Sequence, residues 1–193
     1  MYNIFEMSQC RAPIPVIGAT GRARSDRVRL HPEGRLANAP QTRNVTQLIM
    51  SQLYGYIFDA EKTAGTLVST CVAGDLHEIG VRMVTDFFEM AGWNTFYLGA
   101  NMPTKSVLET VMQRKAHVLC ISATISYHLG AVSELIQSVR AEPGCRSVKI
   151  LVGAYPFNVA PDLWQKMEAD GCAPNAQDAI ILANQLTADG IRS

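Results

Sequence analysis

The chain lacks most of the signatures from which catalytic chemistry is read in a sequence. It has no Gly-x-Ser-x-Gly elbow, no phosphate loop ending in Gly-Lys-Ser, and no Cys and His set at zinc spacing. GATGRARS, residues 18–25, is a poor copy of a phosphate loop because that ending and a preceding strand are both missing. Net charge is absent as well: 17 Lys and Arg balance 17 Asp and Glu, which argues against a protein that binds nucleic acid or a membrane surface as a whole. No unbroken apolar run reaches the roughly 18–20 residues of a membrane span. The start, MYNIFEMSQCRAP, lacks the charged-then-apolar order of a signal peptide. Internal repeats are missing too. The five cysteines (Cys10, Cys71, Cys120, Cys145 and Cys172) have no CxxC spacing, and Cys71 and Cys120 fall in strands expected to be buried. They read as reduced thiols of a cytoplasmic protein, used as small hydrophobes.

What is present is one well-filled domain with chain to spare, from 193 residues that are 48% hydrophobic. Residues 1–43 show no sustained period and read as an irregular or disordered leader. The first 47 residues carry seven Arg against three acids, so a nucleic-acid contact is expected only there, with strong salt dependence. Over residues 44–62, Val45, Leu48, Ile49, Leu53 and Ile57 make one apolar helical face flanked by Tyr54 and Tyr56. Such a lone helix must bury its stripe, and the domain that follows is the expected partner.

From residue 63 to 190 strands and helices alternate. Strands are expected at Leu67–Val72, Thr95–Leu98, His117–Ser122, Val148–Val152 and Gly171–Ala173. Helices are expected over Ile79–Ala91, from Pro103, over a stretch with Leu129, Val132, Ile136 and Val139 on one side, and over Pro161–Ala169 and Ala176–Leu186. In the first helix Ile79, Met83, Phe87 and Met90 recur at helical spacing and are assigned to the core with Phe88, Trp93 and Trp164. This pattern predicts an α/β domain of flavodoxin-like, doubly wound type: five parallel strands in the order 2-1-3-4-5. Ligands of such sheets bind at the carboxyl ends of the strands, between strands 1 and 3.

Ala73-Gly74-Asp75-Leu76-His77-Glu78-Ile79-Gly80 occupies that rim, between the first strand and the first helix. His77 lies two residues from Asp75, close enough for its inner ring N–H to reach the carboxylate while the other nitrogen turns outward to a metal. The bland alternative is a loop histidine capping the helix. His128 is read as a solvent-facing residue early in a helix, or as a second ligand or a contact at the cofactor's edge. His117 and His31 are read as structural, and Glu78 as a favourable charge at a helix start.

The Asp-x-His-x-x-Gly loop resembles that of the cobalamin (vitamin B12)-binding domain family, found in methionine synthase, corrinoid methyltransferase proteins and cobalamin-dependent regulators. The resemblance extends through GVRMVTDFFEMAGWNTFYLGANMPT, VLCISATISYHLGAV, VKILVGAYPFNVAPDLW and ADGCAPNAQDAI, and it looks nearest to the regulatory and photoreceptor branch. It implies base-off cobalamin with His77 as lower cobalt ligand, Asp75 as its orienting partner and Gly80 as the small residue permitting close approach. Ser122 would contact the nucleotide tail or Asp75. Gly153 would be the first glycine of a pair along the tail. Two positions depart from the family: Thr124 stands for its usual Leu, and Ala154 for its second Gly. The resemblance implies a sensory or regulatory module responding to light or redox state, with a signalling protein partner, a possible homo-oligomer and no membrane. The alternatives are a corrinoid methyl carrier of a methyltransferase system, a haem-binding variant, or an interaction domain without cofactor. Adenosyl-, methyl- and hydroxocobalamin all remain open.

Overall fold

The computed structural model describes residues 62–188. The leader expected over 1–43 and the helix expected up to residue 62, Tyr54 included, fall outside the described residues but for Lys62.

Element order is β1 (Gly65–Cys71), α1 (Glu78–Met90), β2 (Trp93–Tyr97), α2 (Thr104–Gln113), β3 (Val118–Ser122), α3 (Leu129–Ala141), β4 (Lys149–Gly153), the short α4 (Tyr155–Val159) and α5 (Leu163–Lys166), β5 (Gly171–Cys172) and α6 (Ala176–Thr187). Single 3-10 turns at Ser126–His128 and Pro143–Cys145 precede α3 and β4. The strands form one parallel sheet in the order β2-β1-β3-β4-β5, the flavodoxin-like arrangement that the alternating pattern predicts. Side chains along a strand alternate between faces, so each strand feeds two cores. Val68, Leu119, Ile121, Ile150 and Val152 pack against Val107 and Val111 of α2 and Val132, Ile136 and Val139 of α3. Leu67, Val118, Cys120 and Leu151 face the other way, toward Phe88 of α1, Trp93, and Ala179 and Ala183 of α6.

Two helices differ from the sequence expectation. In α1 the buried residues are Val81, Thr85, Phe88 and Glu89, whereas Phe87 and Met90 are exposed. The apolar period misled because two polar residues on the inner face are satisfied there. Thr85 Oγ1 donates to the Val81 carbonyl (2.7 Å) and lies 2.6 Å from Ser69 Oγ. Glu89 pairs with Lys62 Nζ (2.5 Å) and accepts from Thr95 Oγ1. Once paired, such groups lose most of their burial penalty. The helix expected over Pro161–Ala169 is only the single turn α5, and a short helix not expected from the sequence, α4, precedes Pro161. Ala160, before Pro161, has φ −122° and ψ 85°, outside the helical region that a following proline disfavours.

Burial decides how the cysteines behave. It pushes the Cys120 thiol up to about 12, and burial with the Asp75 and Glu78 carboxylates pushes Cys71 to about 12 as well. Thiolate is the reactive form. In the folded protein at pH 8, iodoacetamide should therefore label the half-buried Cys172 before Cys71 or Cys120. Peptide mapping checks the order, and early labelling of either strand cysteine would contradict it.

Candidate functional site

The parallel register sets Cys71, Ser122 and Gly153 side by side at the carboxyl ends of β1, β3 and β4. The loops leaving these strands start from one line and meet at the rim. Asp75 N–H donates to the Val72 carbonyl (3.1 Å), closing a turn after β1. Gly74 sits in that turn at φ +86°, where a side chain would be strained and would also meet the His128 ring at 3.4 Å. Its N–H donates to Asn101 Oδ1 (2.8 Å), which ties the loop to the one after β2.

Asp75 is fully buried in the middle of this arrangement. Its Oδ1 accepts the His77 backbone N–H (2.9 Å) and lies 2.8 Å from His77 Nδ1. Its Oδ2 accepts the Thr124 backbone N–H at 2.7 Å. Burial works against the charged carboxylate, but the Thr124 and His77 backbone bonds, the His77 ring and the Thr124 hydroxyl outweigh it. The Asp75 pKa therefore lies below the ordinary carboxylate value.

His77 carries the opposite character, with its side chain 62% exposed. It stands at the N-cap of α1, yet its side chain makes no bond to the helix's first N–H groups. The capping alternative is thus not what the structure shows. With Nδ1 facing Asp75, Nε2 is the nitrogen left to reach outward. Among the described residues no group of three or more His, Cys, Asp or Glu could hold a metal ion. A metal already held by a macrocycle needs only one protein donor, and an imidazole fixed by a buried carboxylate fits that need.

The remaining candidates distribute around this pair. His128 is not solvent-facing: it is buried, and its Nδ1 lies 3.6 Å from Asp75 Oδ2. The 3-10 turn accounts for this, since His128 N–H donates to the Ile125 carbonyl (3.1 Å) and Tyr127 takes the exposed position, at 89%. Ser122 is half-buried at the end of β3, and its carbonyl accepts the Val72 N–H (3.3 Å). The contact to Asp75 considered for Ser122 is made by Thr124. Gly80 lies exposed in α1, and a methyl added there would meet nothing within 4 Å. At Gly153 an added methyl would meet only the Ala173 carbonyl, at 3.8 Å.

Ala154 adopts φ 87° and ψ −176°, a region occupied almost solely by glycine. Strain of this kind costs roughly 1–3 kcal/mol, and part of any relief is offset by the greater freedom of unfolded glycine. Ala154→Gly should accordingly raise the unfolding free energy by about 1 kcal/mol in urea titration. Unchanged or lower stability would show the backbone to be unstrained.

Asn101 is a positioning residue absent from the sequence reading. It holds Gly74 from φ 55°, a left-handed conformation that asparagine tolerates better than most residues. Gly-Ala-Asn ahead of Pro103 was the available turn signal. His117 is structural as expected, with Nδ1 accepting the Thr66 N–H (3.1 Å). A cavity of about 510 Å³ lined by Lys115, His117 and Lys149 opens at the amino ends of β3 and β4, the opposite end of the strands from Asp75 and His77.

A family profile described as the B12 binding domain matches residues 65–182. The chain belongs to the B12-binding domain family. Dimethylamine corrinoid protein 2 of Methanosarcina mazei is 34% identical over 129 residues, covering 66% of this chain and 58% of the relative. The chain thus spans under three-fifths of the length of the first relatives it matches. The solved monomethylamine corrinoid protein of Methanosarcina barkeri is 25% identical and superposes with a TM-score of 0.65, covering 78% of this chain and 72% of that one. The methanol:cobalamin methyltransferase complex of the same organism shares the fold at 22% identity and a TM-score of 0.58, over 79% of this chain and 59% of that one. The curated relatives are named as corrinoid proteins, in keeping with cobalamin binding, and they lend no support to the regulatory and photoreceptor branch or to haem. No helix among the described residues is long and apolar enough to cross a membrane.

Proposed function

We propose that this B12-binding domain is a corrinoid methyl carrier: it holds cobalamin base-off and presents it to methyltransferase partners. The observation that carries the reading is a fully buried carboxylate fixing one nitrogen of a largely exposed imidazole at the carboxyl edge of a parallel sheet. In this role His77 would offer Nε2 to the cobalt, and Asp75 would accept the hydrogen bond of Nδ1–H and so fix ring and tautomer. Gly80 leaves the flank of α1 clear for the ligand. Ser122 and Thr124 at the end of β3, with Gly153 and Ala154 at the end of β4, line the path of the nucleotide tail. When bound, the corrinoid supplies the cobalt–carbon chemistry by which a methyl group is taken up and released. The names of the relatives, amine corrinoid proteins among them, support methyl transfer.

Reconstitution of the full chain with hydroxocobalamin and with haemin tests the cofactor. Uptake of cobalamin with a spectrum distinct from the free compound is expected, and uptake of haem alone would overturn the reading. The role is tested by incubating the methyl-loaded protein with corrinoid methyltransferases and following methyl exchange. Exchange without light supports the carrier. A spectral response to illumination with no exchange would return the regulatory reading to first place.

A further inference from the structure

His128 presents a buried polar atom that the site as described leaves without use. Its side chain is 10% exposed, and Nδ1 has no hydrogen-bond partner among the described residues. A buried donor left unsatisfied costs roughly 1–3 kcal/mol, so such atoms call for an explanation. The nearest charged acceptor is Asp75 Oδ2, 3.6 Å away, too far for a hydrogen bond but only about 0.6 Å beyond one.

The geometry points to His128 as a positioning residue for the lower ligand, donating Nδ1–H to Asp75 Oδ2 once His77 is drawn onto a metal. The inference rests on the assignment of His77 and Asp75 above. One carboxylate then stands between two imidazoles, His77 on Oδ1 and His128 on Oδ2. The Thr124 N–H already holds Oδ2 at 2.7 Å, and a second donor on that oxygen fixes the plane in which Oδ1 faces the His77 ring. Packing keeps His128 in place for this. Its ring edge lies against Gly74 on one side and makes an edge-on contact with Tyr127, 5.7 Å between centroids, on another.

Loss of an outer partner of a metal ligand typically costs about 10- to 100-fold in affinity. Asp75 keeps its Thr124 and His77 bonds when His128 is replaced, so the effect should be smaller. The test compares wild type, His128→Asn, which keeps a donor near the Nδ1 position, and His128→Leu, which does not. Each is loaded with hydroxocobalamin, reduced to cobalt(II), and read by electron paramagnetic resonance for the nitrogen splitting of an axial imidazole. Thermal unfolding is followed in parallel.

His128→Leu is expected to lower the share of bound cobalamin showing that splitting about threefold, and His128→Asn to restore most of it. Splitting in wild type that both variants retain in full would overturn the role of His128 while leaving His77 as ligand. Equal loss in both variants with a lowered melting temperature would overturn it in favour of simple packing. Wild type without any axial nitrogen signal would remove His77 as ligand and the inference with it.

Discussion

His77→Ala is expected to lower cobalamin affinity by more than the roughly 10- to 100-fold that follows loss of an outer partner, because the donor itself is removed. What binding remains should show the visible spectrum of cobalamin without an axial imidazole. Fold stability should fall by no more than the roughly 1.5–3 kcal/mol of one hydrogen bond to a charged group. Only the ring's bond to Asp75 Oδ1 is lost, the backbone N–H bond stays, and the side chain is 62% exposed and makes no capping bond. Titration of the wild type and the variant with hydroxocobalamin, followed by absorbance, measures both quantities. Equal affinity and identical spectra would remove His77 from its assigned role. A variant that fails to bind and also melts well below the wild type would trace the loss to folding instead.

The fold was legible because its strands are short, β-branched and separated by helical periods of adequate length. The parallel α/β class and the placing of Asp75 and His77 at a strand's carboxyl end follow from those features, whereas the order 2-1-3-4-5 is one of two common doubly wound orders and is the one the chain adopts. The inner face of α1 was not legible, for a physical reason. Ser69 and Thr95, 16 and six residues from their partners, make Thr85 and Glu89 tolerable inside. Hydrophobic period counts them as surface. Nor could the sequence place His128 beneath the Asp75 loop, because one 3-10 turn after β3 decides whether it or Tyr127 faces solvent. Thr124 shows the converse. The sequence flagged it as a departure from the family but gave no sign that its backbone N–H and hydroxyl would both serve Asp75.

These placements make the carboxylate, rather than the imidazole, the keystone of the rim. Replacing Asp75 by alanine is expected to lower unfolding free energy by about 2–4 kcal/mol, since hydrogen bonds to a charged acceptor contribute roughly 1.5–3 kcal/mol and several are lost together. Asp75→Asn should fare little better. The two carboxylate oxygens each receive a backbone N–H, from His77 and from Thr124. An amide offers one acceptor and one donor, so one of those N–H groups must face another donor. The pH dependence separates this account from a packing effect. Because the folded pKa of Asp75 is depressed, the unfolded chain binds its proton first as pH falls. The stability gap between wild type and Asp75→Asn should therefore be full at neutral pH, begin to shrink near the unfolded value of about 4, and close as pH falls through the lower folded value. Urea titrations of both proteins from pH 7 downward measure the gap. A gap that stays constant through that window would mean that the charge of Asp75 contributes nothing, and that the loop is held by shape alone.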